Sequence, residues 1–435
     1  MVRSRYEKLV DACPAGWERV RLDALGQIHA GGTPSRNNPA FWGGSIPWVT
    51  PSELTQLRGK WLDGTRECIT EAGLSASAAV LMPKGSLLVT TRATVGAVAV
   101  ARSGVATNQG FKSIVPDEAS DEGFYYHYLT SAAAEMQRLA SGSTFLEISR
   151  REFAAIRVPR PPVVEQRGIA EILDAADAAI QQTEKVIEKL RLTRRGLNQA
   201  LLTRGLDEQG QLRTEPGEFK STAIGLVPSD WNVGGLASQA HPERPYLKTG
   251  PFGSSLKGEH WVAEGVPVIT IGSLGEGEFI SSELLFVSPA KAASLSDYAL
   301  RPGDLVFSRV ADVGRSAVVT AREDEWIMSS NLMRISLDPA RVVPAFAHLA
   351  IVEGETARKQ LKRFVNSGGR EVANTAVLDE IRFAWPPKTE QERIVAVIDS
   401  QDARLRAEEA HRDKLKLLKK GLMDDLLTGR VRVLA

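Results

Sequence analysis

The sequence predicts an α+β protein in which two tandem mixed α/β domains are separated by two long helices. The helices are expected to pair as an antiparallel coiled coil, which gives the chain pseudo-twofold symmetry. Three observations support this fold class. A helical segment occurs twice, each copy has the apolar spacing of a coiled coil, and each copy follows a segment rich in short strands.

The repeated helical segment begins at a Pro-Pro pair in both copies. The first copy runs from Pro161 to Thr203 and the second from Pro386 to Thr428. A constant shift of about 225 residues superposes the copies without a gap over roughly 40 residues, a level of similarity that indicates an internal repeat. At 1.5 Å per residue, a helix of about 39 residues would be roughly 58 Å long.

The first copy has apolar residues at alternating steps of four and three, the a/d spacing of a coiled coil. These positions are Ile169, Leu173, Ala176, Ile180, Thr183, Ile187, Leu190, Arg194, Leu197 and Leu201. The second copy keeps Ile394, Ile398, Leu405, Leu415, Leu422 and Leu426. Neither seam is apolar enough to be stable alone, so pairing is expected, and two independent surface helices are the alternative.

Two details of the helices have alternative explanations. Arg194 lies within the first seam, where it would either repel its mate or bind an acidic partner such as Glu408. Gly196 and Gly421 occupy the same position in both copies, although a mid-helix glycine costs about 0.5–1 kcal/mol relative to alanine. The matched pair indicates close approach of another backbone or side chain, and drift in both copies is the alternative.

Composition is that of an ordinary soluble globular protein. The 435 residues carry a net charge of +1, with 43% hydrophobic and 25% charged residues, so any basic surface must be created by folding. Cys13 and Cys68 are too few for a disulfide framework or a cysteine-rich zinc site. The N-terminus lacks a signal-peptide pattern and no run of 18 apolar residues occurs, which predicts a cytoplasmic protein without membrane contact.

The pattern of helices, strands and turns predicts five segments. They are a first mixed domain at 14–160, a first helical spacer at 161–205, a linker at 206–226, a second mixed domain at 227–385 and a second spacer at 386–430. In the first domain, strands are predicted at 46–50, 86–90 and 95–100, and helices at 122–139 and 147–155.

The two mixed domains are also related to each other. Trp17 corresponds to Trp231, and these two residues with Trp48 are predicted core anchors. Gly85 and Gly303, and likewise Gly96 and Gly314, are predicted turn positions that require positive φ.

Catalytic and metal-binding motifs are missing from the sequence. It contains no Asn-Pro-Pro-Tyr or Asp-Pro-Pro-Tyr motif, no phosphate-binding Gly-x-x-x-x-Gly-Lys-Ser/Thr motif and no His-Glu-x-x-His motif. Residues 218–220 spell the Glu-x-Lys half of a nuclease motif, but they lie in a Gly/Pro-rich linker. The six histidines lack metal-ligand spacing. We therefore expect no catalysis, no cofactor and no bound metal.

A specific combination of stretches points to a known family. The stretches are Gly31–Ser35 with Trp42–Thr50, Lys248–Leu256, Pro302–Arg309 and both Pro-Pro…Glu-Gln helical repeats. In this combination the sequence resembles the specificity (S) subunit of type I restriction–modification systems, over nearly the whole chain. Each stretch alone is a weak signal.

The resemblance implies two target-recognition domains, each reading half of a split, asymmetric site in double-stranded DNA. The helices would set the gap between the half-sites and bind two copies of the methyltransferase (M) subunit, which carries S-adenosylmethionine. Restriction (R) subunits would join through M. Equivalent residues at the start of both helices are the predicted partner-binding positions: Glu165, Gln166, Glu390 and Gln391.

Polar and basic residues in turn-rich parts of both domains are the predicted DNA contacts, because base edges and phosphates are bound by such side chains. In the first domain they are Thr33, Ser35, Arg36, Arg92, Thr94, Asn108, Gln109, Lys112, Ser143 and Thr144. In the second they are Lys248, Ser254, Ser255, Lys257, Arg309, Arg315, Asn331, Arg363 and Arg370. For each residue, the alternative is a turn former or a solvated charge.

Two other functions remain to be distinguished from DNA recognition. A fused nuclease or methyltransferase is disfavoured by the missing motifs, and S-adenosylmethionine bound to the isolated chain would favour it. A protein-only scaffold is disfavoured because the two mixed domains differ while the helices are alike. Divergent domains with similar helices are what two different half-sites and two equivalent partners would require.

Overall fold

The computed structural model describes residues 13–141, 146–252, 255–275, 277–310, 314–366 and 374–433. The chain divides into two compact units. Unit 1 comprises residues 1–186 and 408–435, and unit 2 comprises residues 187–407. Each unit contains one mixed α/β segment and part of each long helix. The five segment limits predicted from the sequence are not tested by this division and stay predictions.

Ten short strands form the sheets in the described part of unit 1. They are β1 Glu18–Arg21, β2 Gly26–Ala30, β3 Trp42–Val49, β4 Trp61–Leu62, β5 Glu67–Ile69, β6 Leu87–Val89, β7 Val98–Ala101, β8 Ala106–Thr107, β9 Lys112–Pro116 and β10 Arg157–Arg160. The main sheet has the order β2-β9-β6-β7-β4, a smaller sheet has the order β5-β3-β8, and β1 pairs with β10. The strands predicted at 46–50, 86–90 and 95–100 are confirmed as β3, β6 and β7.

Short helices cover the sheets of unit 1. They are α1 Pro51–Gln56, α2 Glu71–Ser75, α3 Glu122–Ser131, α4 Ala133–Leu139 and α5 Arg150–Ala155. Helical structure predicted at 122–139 is confirmed, but as two helices, because the chain leaves helical geometry at Ala132. The Ser131 hydroxyl donates to the Tyr128 carbonyl at 2.7 Å, the kind of local bond that bends or ends helices.

The helix predicted from Glu147 begins three residues later, at Arg150. Ser149 caps it: the Ser149 hydroxyl accepts from the Glu152 amide at 3.2 Å, and the Ser149 amide donates to the Glu152 carboxylate at 3.0 Å. This reciprocal pair is a capping box, which satisfies amides that the first helical turn would leave unbonded. The start at Glu147 is therefore corrected.

Unit 2 repeats the mixed architecture of unit 1. Its strands are β11 Phe219–Thr222, β12 Gly225–Pro228, β13 Asn232–Gly234, β14 Leu247–Thr249, β15 Trp261–Val262, β16 Val266–Ile269, β17 Leu285–Val287, β18 Leu305–Ser308, β19 Ser316–Val318, β20 Ile327–Met328, β21 Leu332–Ile335 and β22 Phe383–Trp385. One sheet has the order β14-β21-β18-β19 and another has the order β15-β17-β16-β20, while β13 pairs with β22.

The helices complete both units. They are α6 Val163–Arg204, α7 Pro289–Ser294, α8 Pro344–Val352, α9 Glu355–Asn366, α10 Thr375–Glu380 and α11 Lys388–Leu426. Helix α6 has 42 residues and α11 has 39, so both predicted long helices are confirmed. Helix α6 begins in unit 1 and ends in unit 2, whereas α11 begins in unit 2 and ends in unit 1.

The predicted linker contains ordered structure. Strands β11 and β12 pair as an antiparallel hairpin, closed by Gly225 at a φ of 105°, a conformation that glycine adopts without steric cost. Residues Phe219 and Lys220 therefore lie in a strand, which corrects the linker assignment for the Glu-x-Lys sequence. The Lys220 ammonium donates to the Ser229 carbonyl at 2.8 Å, and the Glu218 carboxylate accepts from the Thr214 amide at 3.0 Å. Both side chains serve the local fold.

The predicted core anchors and turn glycines are confirmed. Trp17, Trp48 and Trp231 are buried. Positive φ angles of 86°, 92°, 95° and 104° occur at Gly85, Gly303, Gly96 and Gly314, respectively.

The predicted seams face inward. In α6, Ile169, Leu173, Ile180, Thr183, Ile187 and Leu201 are buried, and Ala176, Leu190, Arg194 and Leu197 are half-buried. In α11, Ile394, Ile398 and Leu426 are buried, and Leu405, Leu415 and Leu422 are half-buried. The sequence spacing thus predicted which residues of each helix are removed from water.

Within each unit, the two helix segments run antiparallel. In unit 1, Asp177 pairs with Lys419 at 2.5 Å and Glu184 pairs with Lys416 at 2.7 Å. In unit 2, the guanidinium of Arg194 donates to Asp402 at 3.1 Å. The alternative in which Arg194 binds an acidic partner on the second helix is confirmed, but the residue that faces it in the antiparallel register is Asp402 and not the suggested Glu408. Asp402 and Asp177 are equivalent residues of the repeat, as are Arg194 and Lys419.

The repeated Glu-Gln pair at the helix start, which the sequence predicts to bind a partner protein, is instead buried within the chain. In unit 1, the Gln166 amide donates to the carbonyls of Ala119 and Pro161 at 2.9 and 2.8 Å, and accepts from the Asp121 amide at 2.8 Å. In unit 2, Gln391 makes the same three bonds with Arg341, Pro386 and Val343, at 3.0, 2.9 and 2.9 Å. The glutamine therefore joins each helix to its mixed domain.

The neighbouring glutamate binds a tryptophan and an arginine. In unit 1, Glu165 accepts from the Trp17 indole at 3.0 Å and from the Arg432 guanidinium at 2.7 Å, and this arginine holds the pKa of Glu165 below its usual range. In unit 2, Glu390 accepts from the Trp231 indole at 3.1 Å and from Arg213 at 2.7 Å. We call each set of contacts a Glu-Gln joint.

Each Glu-Gln joint includes the segment that follows the opposite helix. Arg432 lies after the end of α11 and bonds to the start of α6, whereas Arg213 lies after the end of α6 and bonds to the start of α11. These joints explain why Glu-Gln is repeated, because a buried carboxylate and a buried amide both need partners. A partner protein cannot reach these four side chains while the joints are closed.

Candidate nucleic-acid interface

Three loops converge at one end of the main sheet of unit 1. The end of β2 pairs with the start of β9, the end of β6 pairs with the start of β7, and a bridge joins Thr90 to Phe111. In an antiparallel pair, the end of one strand lies beside the start of its neighbour, and β2, β9, β6 and β7 pair in this way. The loops after β2, between β6 and β7, and before β9 therefore lie together, and we call this site sheet end 1.

Several predicted residues meet at sheet end 1. The Thr33 hydroxyl donates to the exposed Gln109 side chain at 2.5 Å, and the Asn108 carboxamide accepts from the Gly110 amide at 2.8 Å. Gly31 packs against the same loop, since a Cβ there would lie 2.0 Å from the Asn108 carbonyl oxygen. This close backbone approach holds Thr33 beside Gln109.

Two predicted cations share one carboxylate. Glu147 lies 3.3 Å from the Lys112 ammonium and 3.7 Å from the Arg92 guanidinium. Lys112 is buried, whereas Arg92 is partly exposed. A buried ammonium needs such a partner, so Lys112 has a role within the fold.

Arg36 lies beside the smaller sheet of unit 1. Its guanidinium donates to Glu67 at 2.8 Å and stacks on Trp42, with Cζ 3.8 Å from the ring centroid. This hydrogen bond holds the pKa of the Glu67 carboxyl below its usual range. The backbone carbonyl of Ser35 accepts from the Trp42 indole at 3.1 Å. Arg36 thus contacts a carboxylate and an aromatic face in the free chain.

Thr94 is exposed on the reversal between β6 and β7, directly after Ala93, which has a φ of 64°. The Thr94 amide donates to the Arg92 carbonyl at 2.8 Å, so a tight turn presents this side chain. Ser143 and Thr144 lie outside the described residues.

Unit 2 has the equivalent arrangement, which we call sheet end 2. Its loops follow β14, connect β18 to β19 and precede β21. The Arg309 amide donates to the Asn331 carbonyl at 3.2 Å, just as the Thr91 amide donates to the Gly110 carbonyl at 2.8 Å in unit 1. The register therefore equates Arg309 with Thr91 and Asn331 with Gly110. Side chains of different chemistry occupy the same positions of a common frame.

The remaining predicted residues of unit 2 are dispersed. Arg315 lies at sheet end 2, where its carbonyl accepts from the Ser308 amide at 2.8 Å. Lys248 lies on β14, with its ammonium 3.6 Å from Asp297. Arg363 is exposed on α9, and Ser255 and Lys257 are exposed beyond β14. Ser254 and Arg370 lie outside the described residues.

The chemistry of both sheet ends is hydrogen bonding and charge. Exposed hydroxyl and carboxamide groups, together with half-buried guanidinium groups, are donors and acceptors of the kind that bind base edges and phosphates. In the described part of the chain, no group of three or more His, Cys, Asp or Glu side chains is arranged to hold a metal ion. Sequence reasoning missed Glu147, which orders two of the cations, because no sequence signal connects it to Lys112.

A sequence model of one family matches most of the chain. This family, described as the type I restriction modification DNA specificity domain, matches residues 14–192 and 249–417. The chain belongs to this family. The two matched ranges each contain one mixed segment and part of a long helix, so the family model recognises the same internal repeat.

Relatives from the same family match this chain over different lengths. The type I restriction enzyme MjaIX specificity subunit of Methanocaldococcus jannaschii is 32% identical over 202 residues, 44% of this chain and 47% of that subunit. The match thus spans about half the length of that relative. The MjaVIII specificity subunit of the same organism is 21% identical over 425 residues, 97% of this chain and 94% of that subunit.

Solved specificity-family structures share the fold. The S subunit from M. genitalium has a TM-score of 0.54 at 17% identity, covering 94% of this chain and 96% of that chain. A chain solved in work on complex assembly and conformational transition of the type I R-M system has a TM-score of 0.61 at 18% identity, covering 96% and 99%. The predicted fold class is confirmed. No helix in the described ranges is long and apolar enough to cross a membrane.

Proposed function

We propose that this chain is the DNA-recognition subunit of a type I restriction–modification enzyme. It binds a bipartite, asymmetric site in double-stranded DNA and positions the methyltransferase (M) and restriction (R) subunits, with no catalysis of its own. Such a subunit acts where the chromosome lies, so the proposal includes a cytoplasmic location. S-adenosylmethionine belongs to the M subunit in this proposal.

One observation carries the proposal. Sheet ends 1 and 2 have the same frame of loops, yet Thr91 corresponds to Arg309 and Gly110 corresponds to Asn331. Base readout depends on the donor and acceptor pattern of individual side chains, whereas the frame only positions them. Two sets of equivalent loops that carry different side chains are what the reading of two different half-sites requires.

The test is sequencing of DNA methylation in cells that express this chain with its cognate M subunit. We expect modified bases within one two-part motif with a constant gap, and none when this chain is omitted. Methylation without a fixed motif, or methylation that persists without this chain, would contradict the proposal. The motif obtained also supplies the substrate for the experiments below.

We expect Gln109→Ala and Asn331→Ala to relax opposite halves of the motif. Both side chains are exposed at their sheet ends, and one good base contact is worth about 1–3 kcal/mol of discrimination. Methylation sequencing should show loss of preference at one or two positions of a single half-site for each variant. Each variant serves as the control for the other. If one substitution reduces the sequence preference in both half-sites, the two units do not read them separately.

The proposal places one M subunit on each of two equivalent helix faces. Leu192 on α6 and Leu417 on α11 correspond in the repeat and are 59% and 70% exposed. Four residues later on the same faces lie Gly196 and Gly421. No described atom outside the local helix backbone would lie within 4 Å of a Cβ at either glycine. The close approach expected at these glycines is therefore not made by the described part of the chain, which leaves space for a partner helix.

Charge suggests the chemistry of the partner surface. Lys189, Arg191 and Arg195 are exposed around Leu192. At the corresponding positions around Leu417, Lys414, Lys416 and Lys420 are exposed. An apolar M-subunit helix with flanking acidic residues fits both faces. Two equivalent faces imply two M subunits, through which the R subunits join.

We expect Leu192→Glu and Leu417→Glu each to remove one of two M subunits, because a carboxylate would be buried in the apolar contact. The double variant should bind none. Native mass spectrometry of the saturated complex measures the stoichiometry, and Leu226→Glu, a change of an equally exposed leucine on β12, is the control. A complex saturated by one M subunit in the unmodified protein would refute the two-site proposal.

A further inference from the structure

Among the Phe, Trp and Tyr residues that the structure describes, only Phe252 is exposed. Its side chain is 61% exposed, directly after β14 and therefore at sheet end 2. Exposing a ring of this size to water is unfavourable, at roughly 25 cal/mol per Å² of apolar surface.

The ring is positioned rather than free. The guanidinium carbon of Arg309 lies 5.3 Å from the Phe252 ring centroid, within the range of a cation–π contact. Arg309 is itself anchored, since its amide donates to the Asn331 carbonyl and its guanidinium donates to the Ser330 carbonyl at 3.4 Å. The ring therefore rests on a residue from the reversal between β18 and β19.

The backbone beneath Phe252 has the same close packing in both copies of the internal repeat. Gly250 packs so closely that a Cβ would lie 2.0 Å from the Ser329 carbonyl oxygen, the same distance that separates a Cβ at Gly31 from the Asn108 carbonyl oxygen in unit 1. Two residues after these glycines come Phe252 and Thr33. Phe252 in unit 2 therefore occupies the position of Thr33 in unit 1. The contact of Thr33 with Gln109 is polar, whereas that of Phe252 with Arg309 is between an aromatic ring and a cation.

We propose that Phe252 determines specificity by an apolar contact with a base in the half-site read by unit 2. The inference rests on the proposed function. Phenylalanine can contact the thymine 5-methyl group in the major groove or pack on the face of an unstacked base. Both contacts offer the ring an apolar surface in place of water, and Arg309 keeps the ring in position before DNA arrives.

The experiment measures binding of a short duplex containing the mapped motif by the full chain in complex with its M subunits. We expect Phe252→Ala to weaken cognate binding by about 5- to 150-fold, the range found when one base–aromatic contact is removed. An apolar contact releases no counterions, so the dependence of affinity on salt should be unchanged. Binding of scrambled duplex should also be unchanged.

Matched variants separate the ring from general effects. Phe252→Tyr keeps the ring and should keep cognate affinity, and Leu285→Ala changes an exposed aliphatic residue on β17 without effect. Replacing each thymine of the second half-site by deoxyuridine removes one methyl group at a time. If removing one thymine methyl weakens binding by the unmodified complex but not by Phe252→Ala, Phe252 contacts that methyl group. If Phe252→Ala loses affinity and no thymine behaves in this way, the ring packs on the face of a base.

The inference is overturned if Phe252→Ala binds cognate DNA within twofold of the unmodified complex. An equal loss on scrambled duplex, or a changed salt dependence, also overturns it because the contact would then lie on the backbone. A loss of M-subunit binding would place Phe252 in a protein contact instead. If the unmodified complex does not prefer its motif over scrambled duplex, the proposed function itself fails.

Discussion

Replacement of Glu390 by alanine is expected to destabilise unit 2 by about 3–5 kcal/mol, because it breaks a buried ion pair and leaves Arg213 with the more exposed carboxylate of Asp230, 3.0 Å away, as its partner. The side chains of Arg213 and Glu390 are 10% and 2% exposed, and their atoms lie 2.7 Å apart. The Trp231 indole and the Leu206 amide, at 3.1 and 2.7 Å, lose the same acceptor. Urea unfolding, combined with hydrogen exchange of peptides from residues 187–407, measures the effect.

Glu392→Ala is the matched control, since Glu392 is exposed two residues away on the same helix. We expect a change within about 0.5 kcal/mol for that variant. In the Glu390→Ala background, Arg213→Met should recover part of the lost stability, because it removes the buried guanidinium that no longer has Glu390 as its partner. A loss below about 1 kcal/mol for Glu390→Ala would show that the Glu-Gln joint contributes little to folding.

A fragment of residues 1–217 is expected to form a dimer that reads a palindrome. Without α11, the buried seam of α6 from Ile169 to Leu201 is exposed to water. A second copy of α6 can replace α11, because Asp402 faces Arg194 in the full chain and Asp177 is its equivalent. In an antiparallel dimer, Arg194 of one copy therefore meets Asp177 of the other.

The fragment must extend beyond Gly205 to include a cation that can pair with Glu165 in the Glu-Gln joint. Glu165 binds Arg432 in the full chain, and Arg213 is the equivalent cation after α6. We expect 1–217 to dimerise more tightly than 1–205, as measured by analytical ultracentrifugation. With the cognate M subunit, the dimer should methylate two inverted copies of the first half-site. Asymmetric sites, or a strictly monomeric 1–217 fragment, would contradict this prediction.

The local pattern of the sequence predicted the elements that depend on neighbouring residues. The step of three and four residues identified the buried faces of α6 and α11, because helical geometry alone determines which side chains share a face. The positive φ of Gly85 and Gly303 followed from the lack of a Cβ. The division of the helix at 122–139 did not follow, because the competing Ser131 hydroxyl bond is a weak local preference.

Chain folding over long sequence distances decided the rest. The buried Glu165, Gln166, Glu390 and Gln391 were predicted to bind a partner, because they occupy equivalent positions in the two copies of the helical repeat. Their partners, such as Arg432 for Glu165, lie far away in the sequence. The repetition of the Glu-Gln pair indicates that it has a role, but it does not show whether the pair binds residues of this chain or a partner protein.

The sequence by itself determined the repeat, the two long helices and the family, because each is encoded in residue spacing or in short motifs. Only the tertiary structure decided which cations are used internally, as Lys112 is with Glu147, and which residues share a sheet end, as Phe252 and Arg309 do. The physical reason is that burial and ion pairing are properties of distance in space. Loops separated by tens of residues meet only after the strands between them have paired.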